Sequence, residues 1–132
     1  MRCPACRAEL LIVEYAGVEL DVCARCDGMW FDADELARLL GGERRVPRGT
    51  GVAPTAARRR CPRCRRRMRA VVMPGEPAPA TVDRCPRGDG LWFDRGELPR
   101  LVDAEVPPDD PAFASMQRFL GRFAEPARGR EE

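Results

Sequence analysis

The chain has 132 residues, 44% of them apolar and 33% charged, and a formal net charge of +2, which fits one small globular domain with a thin core. No apolar run approaches the about 20 residues that a transmembrane helix needs. The start Met1-Arg2-Cys3-Pro4 has no secretory apolar stretch, so the expected setting is the cytoplasm. All 23 basic residues are arginine and there is no histidine, which excludes His-containing triads and His-ligated metal sites.

Taken in chain order, the first signal is Cys3-x2-Cys6-x16-Cys23-x2-Cys26, the spacing of a four-thiolate zinc site. Seven cysteines, an odd number, together with the expected cytoplasmic setting, argue against a disulfide framework. Leu10–Tyr15 and Val18–Val22 flank Ala16-Gly17, a two-residue turn that predicts a β-hairpin carrying the chain from one cysteine pair to the other. Asp32 is the expected N-cap of a short helix, with Glu35 in capping-box position and Leu36, Leu39 and Leu40 on its buried side. Residues 42–60 lack periodicity, are rich in Gly, Arg and Ala, and read as a linker.

The pattern then repeats. Cys61, Cys64 and Cys85 match Cys3, Cys6 and Cys23, but Gly88 stands where Cys26 would be matched. Four extra residues between the cysteine pairs fall in the loop segment Pro74–Pro79. Asp94, Glu97, Leu98, Leu101 and Val102 repeat the capped helix. With three thiolates, the second site is read as degenerate or weakly metal-binding. The other readings are a structural zinc with a fourth ligand from Asp83, Asp89, water or a partner, or an open catalytic zinc. Asp27 and Asp89 are read first as turn residues before Gly28 and Gly90. One aromatic of each pair Trp30-Phe31 and Trp92-Phe93 is expected in the core, the other exposed or packed between the repeats. Asp110-Pro111 starts, and Pro126 ends, an expected amphipathic tail helix presenting Phe113, Met116, Leu120 and Phe123, with Phe119 beside them.

The motif CPxC followed by CxxC-x-G-x-W-x-D-x-x-E-L resembles the bacterial zinc ribbon named after transcription factor IIB. The first copy matches at Cys3, Pro4, Cys6, Cys23, Cys26, Gly28, Trp30, Asp32, Glu35 and Leu36; the second at Cys61, Pro62, Cys64, Cys85, Gly90, Trp92, Asp94, Glu97 and Leu98. The resemblance implies a zinc-binding β-hairpin followed by a short helix, and its name suggests transcription. The expected protein is a small, metal-stabilised α+β chain: zinc ribbon 1 at 1–41, linker at 42–60, zinc ribbon 2 at 61–103, and an acidic, Pro-rich segment with the tail helix at 104–132. One zinc is expected, with a second left open.

Charge is distributed unevenly: residues 1–48 sum to −2, residues 49–102 to +7 and residues 103–132 to −3. Arg58, Arg59, Arg60, Arg63, Arg65, Arg66, Arg67 and Arg69 crowd around Cys61 and Cys64, a field that attracts phosphate or acidic protein surfaces. The expected function is a non-catalytic module binding protein or nucleic acid, with no membrane role and with self-association through the tail helix as a further possibility. The alternative is a thiol-active protein, with arginines lowering the pKa of Cys61, Cys64 and Cys85.

Overall fold

The structure is a computed structural model that describes residues 1–42, 46–51, 59–111, 114–116 and 118–119. Among these residues, strands and helices follow in the order β1 (Leu10–Tyr15), β2 (Val18–Cys23), β3 (Met29–Asp32), α1 (Ala33–Leu40), β4 (Thr50–Gly51), β5 (Arg69–Met73), β6 (Ala80–Arg84), β7 (Gly90–Phe93) and α2 (Glu97–Glu105). The hairpin turn is the two-residue one expected: Ala16 and Gly17 have φ of 53° and 80°, the left-handed pair that matches the twist of its strands. Thr50 and Gly51, inside the expected linker, pair with Val72 and Val71 at the edge of β5.

All strands join one antiparallel sheet in the order β1-β2-β3-β7-β6-β5-β4. The two repeats meet at β3 and β7, where Met29 faces Phe93, Trp30 faces Trp92 and Phe31 faces Leu91. Each repeat's Trp thus lies opposite its own equivalent, so a local two-fold axis relates the ribbons. Side chains alternate across a strand. Met29, Phe31, Leu91 and Phe93 therefore point to the face covered by α1 and α2, joining Leu20, Leu36, Leu40, Leu98 and Leu101 in one core. Phe31 and Phe93 meet edge to face across the axis, 5.6 Å between ring centres. Trp30 and Trp92 point to the opposite face and pack with the cysteines in a second core. Both Trp are 0% exposed and Phe31 and Phe93 at most 1%, so of the two expectations for the second aromatic of each pair, exposure or packing between the repeats, the packing is found.

The first helix opens as expected, with Asp32 and Glu35 closing a capping box. The second starts later than its repeat predicts: α2 begins at Glu97, behind Gly96 at φ 85°. Pro99 is the reason. Its ring would clash with the carbonyl of Arg95 in a helix starting right after Asp94, so Pro99 must lie in the first turn. The Asp94 amide nevertheless still donates to Glu97 Oε1 at 3.0 Å.

Of the tail, Met116 is buried in the helix-side core. Phe119 stacks on Tyr15 at 4.4 Å, and the Tyr15 and Ser115 hydroxyls share a hydrogen bond of 3.0 Å. These contacts dock the start of the tail on the first ribbon. Phe113, Leu120 and Phe123 lie outside the described residues, and of the expected helix beyond Pro111 only residues 114–116 and 118–119 are described. Among the described residues no helix is long and apolar enough to cross a membrane.

Candidate metal centres

Each ribbon gathers four potential metal donors on the Trp face. Cys3, Cys6, Cys23 and Cys26 bring their Sγ atoms within 4.8 Å of one another. The Cys3–Cys26 and Cys6–Cys23 Sγ separations are 3.6 and 3.3 Å. A tetrahedron with Zn–S bonds of about 2.3 Å has edges of about 3.8 Å, so the cluster has the size of a closed zinc shell. All seven cysteines are free of disulfides.

Two loops hold these thiols. At the first, the Cys3 amide donates to the Ala8 carbonyl at 2.7 Å and the Arg7 amide to the Cys3 carbonyl at 2.8 Å. The Ala5 and Cys6 amides donate to Cys3 Sγ, both at 3.3 Å. At the second, the Cys26 amide donates to Cys23 Sγ at 3.4 Å. Such N–H groups favour the thiolate that a metal requires. Without a metal, burial pushes the Cys26 thiol up, whereas Cys6 ends at about 7: burial opposes ionisation there, but the Ala8 backbone and neighbouring thiols outweigh it.

The second ribbon copies this arrangement with one substitution. The Arg63 and Cys64 amides donate to Cys61 Sγ at 3.3 and 3.4 Å, and the Arg87 amide to Cys85 Sγ at 3.3 Å. Cys61, Cys64 and Cys85 are joined by Asp89, with all four donor atoms within 4.8 Å. Cys64 and Cys85 Sγ are 3.6 Å apart, and Cys61 Sγ lies 3.6 Å from Asp89 Oδ2. A zinc with Zn–S of about 2.3 Å and Zn–O of about 2.1 Å would set a sulfur and an oxygen about 3.6 Å apart. The donor set therefore fits zinc.

A shifted turn explains how Asp89 comes to this place. In the first ribbon the left-handed residue is Asp27 at φ 63°, and its carboxylate points away to Arg95 at 3.5 Å. In the second the left-handed residue is Gly88 at φ 83°, one position earlier, with its amide on the Cys85 carbonyl at 3.0 Å. The following side chain then turns inward. Of the two roles considered for Asp89, turn residue and fourth ligand, its place in the cluster fits the ligand, while Asp27 stays outside its own cluster. Asp83, the other carboxylate considered, is buried against Arg59 at 3.6 Å and is not part of the donor cluster. A cysteine at Gly88 would meet no atom within 4 Å of its Cβ but would have to hold φ 83°, a left-handed conformation that costs a side-chain-bearing residue about 1–2 kcal/mol.

The Trp residues seal the space between the sites, and they do so crosswise. A Cβ on Gly28 would fall 2.7 Å from Trp92 Cη2, and one on Gly90 would fall 2.8 Å from Trp30 Cζ2. Each ribbon's glycine is the floor for the other ribbon's indole. Each indole N–H donates to the aspartate two residues on in its own ribbon, Trp30 to Asp32 at 3.0 Å and Trp92 to Asp94 at 3.1 Å. Those aspartates are in turn gripped by arginines. Arg63 makes a two-pronged pair with Asp32 of the other ribbon, at 2.7 and 3.1 Å, and Arg59 pairs with Asp94 and Asp83.

The arginine cluster accordingly divides. Arg59 and Arg63 are tied to the aspartates that hold the two indoles. Arg60, Arg65, Arg66, Arg67 and Arg69 are exposed, and Arg58 lies outside the described residues. Two arginines that the charge count passed over, Arg2 and Arg7, line the same open cleft as Arg60 and Arg65. Their equivalence to Arg60 and Arg65 in the repeat alignment was the signal available in the sequence.

A family model described as a transcription factor zinc-finger, the transcription-factor-IIB-type zinc ribbon, matches residues 2–42 and again residues 60–104, well over half of the chain. The chain belongs to this zinc-ribbon family. The two matched segments are the two halves of the pseudo-symmetric sheet, so the protein is a tandem zinc ribbon. No curated protein and no solved structure matches the chain significantly. Within the family motif, the Gly and Trp of GxWxD meet across the two ribbons here, and the Asp anchors the indole.

Proposed function

We propose that this tandem zinc ribbon is a non-catalytic interaction module linked to transcription. In this reading Cys3, Cys6, Cys23 and Cys26 hold one zinc, and Cys61, Cys64, Cys85 and Asp89 hold a second, weaker one. The observation that carries it is closure: each site has four protein donors packed against a buried Trp. A catalytic zinc keeps a position open for water or substrate, and four protein donors leave none. A zinc at these sites adds its binding free energy to that of the fold and ties together the cysteine loops packed on the Trp pair.

The thiol-active alternative draws less support. Burial pushes the Cys61 thiol up to about 12, with the neighbouring Cys85 and Cys64 thiols adding to the rise while backbone N–H groups oppose it. The surrounding arginines do not make it a ready thiolate. The test is chelation followed by near-ultraviolet circular dichroism, which reads the two Trp between the sites. Metal removal is expected to erase that signal, and zinc to restore it. A chain that keeps its Trp signal without metal, or whose native thiols react rapidly with a disulfide reagent while zinc is bound, overturns the reading.

A further inference from the structure

The two ribbons leave an open cleft of about 700 Å³ between their first cysteine loops, lined by equivalent residues from both repeats. Arg2 matches Arg60, Cys3 matches Cys61, and Arg7 matches Arg65, so the cleft straddles the local two-fold axis. Arg59 also lines it but is committed to Asp94 and Asp83. Glu9, 66% exposed and 3.9 Å from the terminal amine of Met1, is the only acid among the lining residues. Resting on the reading of the chain as an interaction module, we propose that this cleft binds the phosphate backbone of a nucleic-acid duplex without regard to sequence.

Three observations lead there. First, the arginines are pre-set in the same way on both sides. Arg2 donates through one guanidinium nitrogen to the Arg7 carbonyl, and Arg60 likewise to the Arg65 carbonyl, both at 3.1 Å. Each fork is held at one corner while its other N–H donors remain available for phosphate oxygens.

Second, Arg7 and Arg65 occupy left-handed backbone positions, φ 68° and 67°. Glycine takes this conformation freely, and both loops carry arginine instead. Strain retained at matched positions points to a task for the side chain. Third, no aromatic ring lines the cleft, and both Trp are buried. Stacking of single-stranded bases has no platform there. Two-fold related arginines suit the local two-fold symmetry of a duplex backbone. An acidic protein would need apolar anchors as well, and the cleft supplies only Met1, Pro4 and Pro62.

The experiment is fluorescence anisotropy of the zinc-loaded full chain with a labelled random-sequence DNA duplex of about 20 base pairs, from about 50 to 200 mM salt. Four phosphate contacts predict an affinity loss on the order of 100-fold over that range. The double variant Arg7→Gly/Arg65→Gly should lose binding at least tenfold while melting no lower than the parent, because glycine relieves the left-handed positions. Arg2→Gln/Arg60→Gln should weaken binding similarly, with zinc content unchanged. No duplex binding at the lowest salt overturns the proposal, as does undiminished binding by the double glycine variant. A single strand or a polyglutamate chain bound more tightly than the duplex overturns it too, the latter moving the cleft to an acidic protein partner. A zinc-loaded, folded chain that ignores duplex overturns this inference alone; a chain that folds without metal overturns the proposed function instead.

Discussion

Replacing Gly28 with alanine tests the crosswise packing of the two ribbons. The added Cβ would sit 2.7 Å from Cη2 and 2.9 Å from Cε2 of Trp92, where carbon atoms need about 3.5 Å or more. Trp92 has nowhere to go: it is 0% exposed and its N–H is held by Asp94 at 3.1 Å. Overpacking of this kind costs about 1–3 kcal/mol, and breaking the indole hydrogen bond adds about 1 kcal/mol. Gly→Ala also restricts the unfolded chain, which returns about 0.4–1 kcal/mol. The net expectation is a loss of about 2–3 kcal/mol, or a melting temperature lower by about 10 °C. Thermal denaturation of the zinc-saturated protein reads it. Because the clash is with one ring, Gly28→Ala/Trp92→Phe should show a coupling of at least about 1 kcal/mol in a double-mutant cycle. A Gly28→Ala protein within about 0.5 kcal/mol of the parent, or strictly additive variants, would refute the exchanged Gly–Trp contact.

Two further outcomes follow from the same geometry. Gly88→Cys, at φ 83° with Asp89 already in the fourth position, should gain no zinc and melt a few degrees lower through about 1–2 kcal/mol of backbone strain; tighter second-site zinc with a raised melting point would show that this loop can revert to the form of the first ribbon. Burial, assisted by Asp94 and Asp83, pushes Glu97 up to about 7 from 4.5, so the native state binds the extra proton between those values and Glu97's contribution to stability falls as pH rises through them. Denaturant titrations of zinc-saturated protein should therefore show the parent losing on the order of 1 kcal/mol relative to Glu97→Gln between about pH 6 and 8; parallel profiles would contradict this.

The parts legible in the sequence were the local ones. Cys3, Cys6, Cys23 and Cys26 announce their site by spacing, and the Ala16-Gly17 turn fixes the first hairpin because its strands are adjacent in the chain. Met29–Asp32 and Gly90–Phe93 gave no strand signal, since both of their faces are buried and the polar alternation of a half-exposed strand is missing. Their mutual pairing joins residues some 60 positions apart, which no local pattern records. The late start of α2 was readable at Pro99, whose ring limits where a helix can begin. Asp89 could not be chosen over Asp83 from composition. The choice depends on the left-handed turn moving from Asp27 to Gly88. The charge count found the basic region but did not separate Arg59 and Arg63, tied to aspartates across the fold, from the arginines left free at the surface.

The zinc content of the purified chain, counted by native mass spectrometry beside an Asp89→Ala variant, bears most directly on the two-site account. Two zincs per parent chain are predicted, the second leaving first as a chelator is added, and one zinc in Asp89→Ala with the Cys3, Cys6, Cys23 and Cys26 site intact. A single zinc in the parent, or two equally tight zincs in the variant, would contradict the assignment of Asp89 as the fourth ligand.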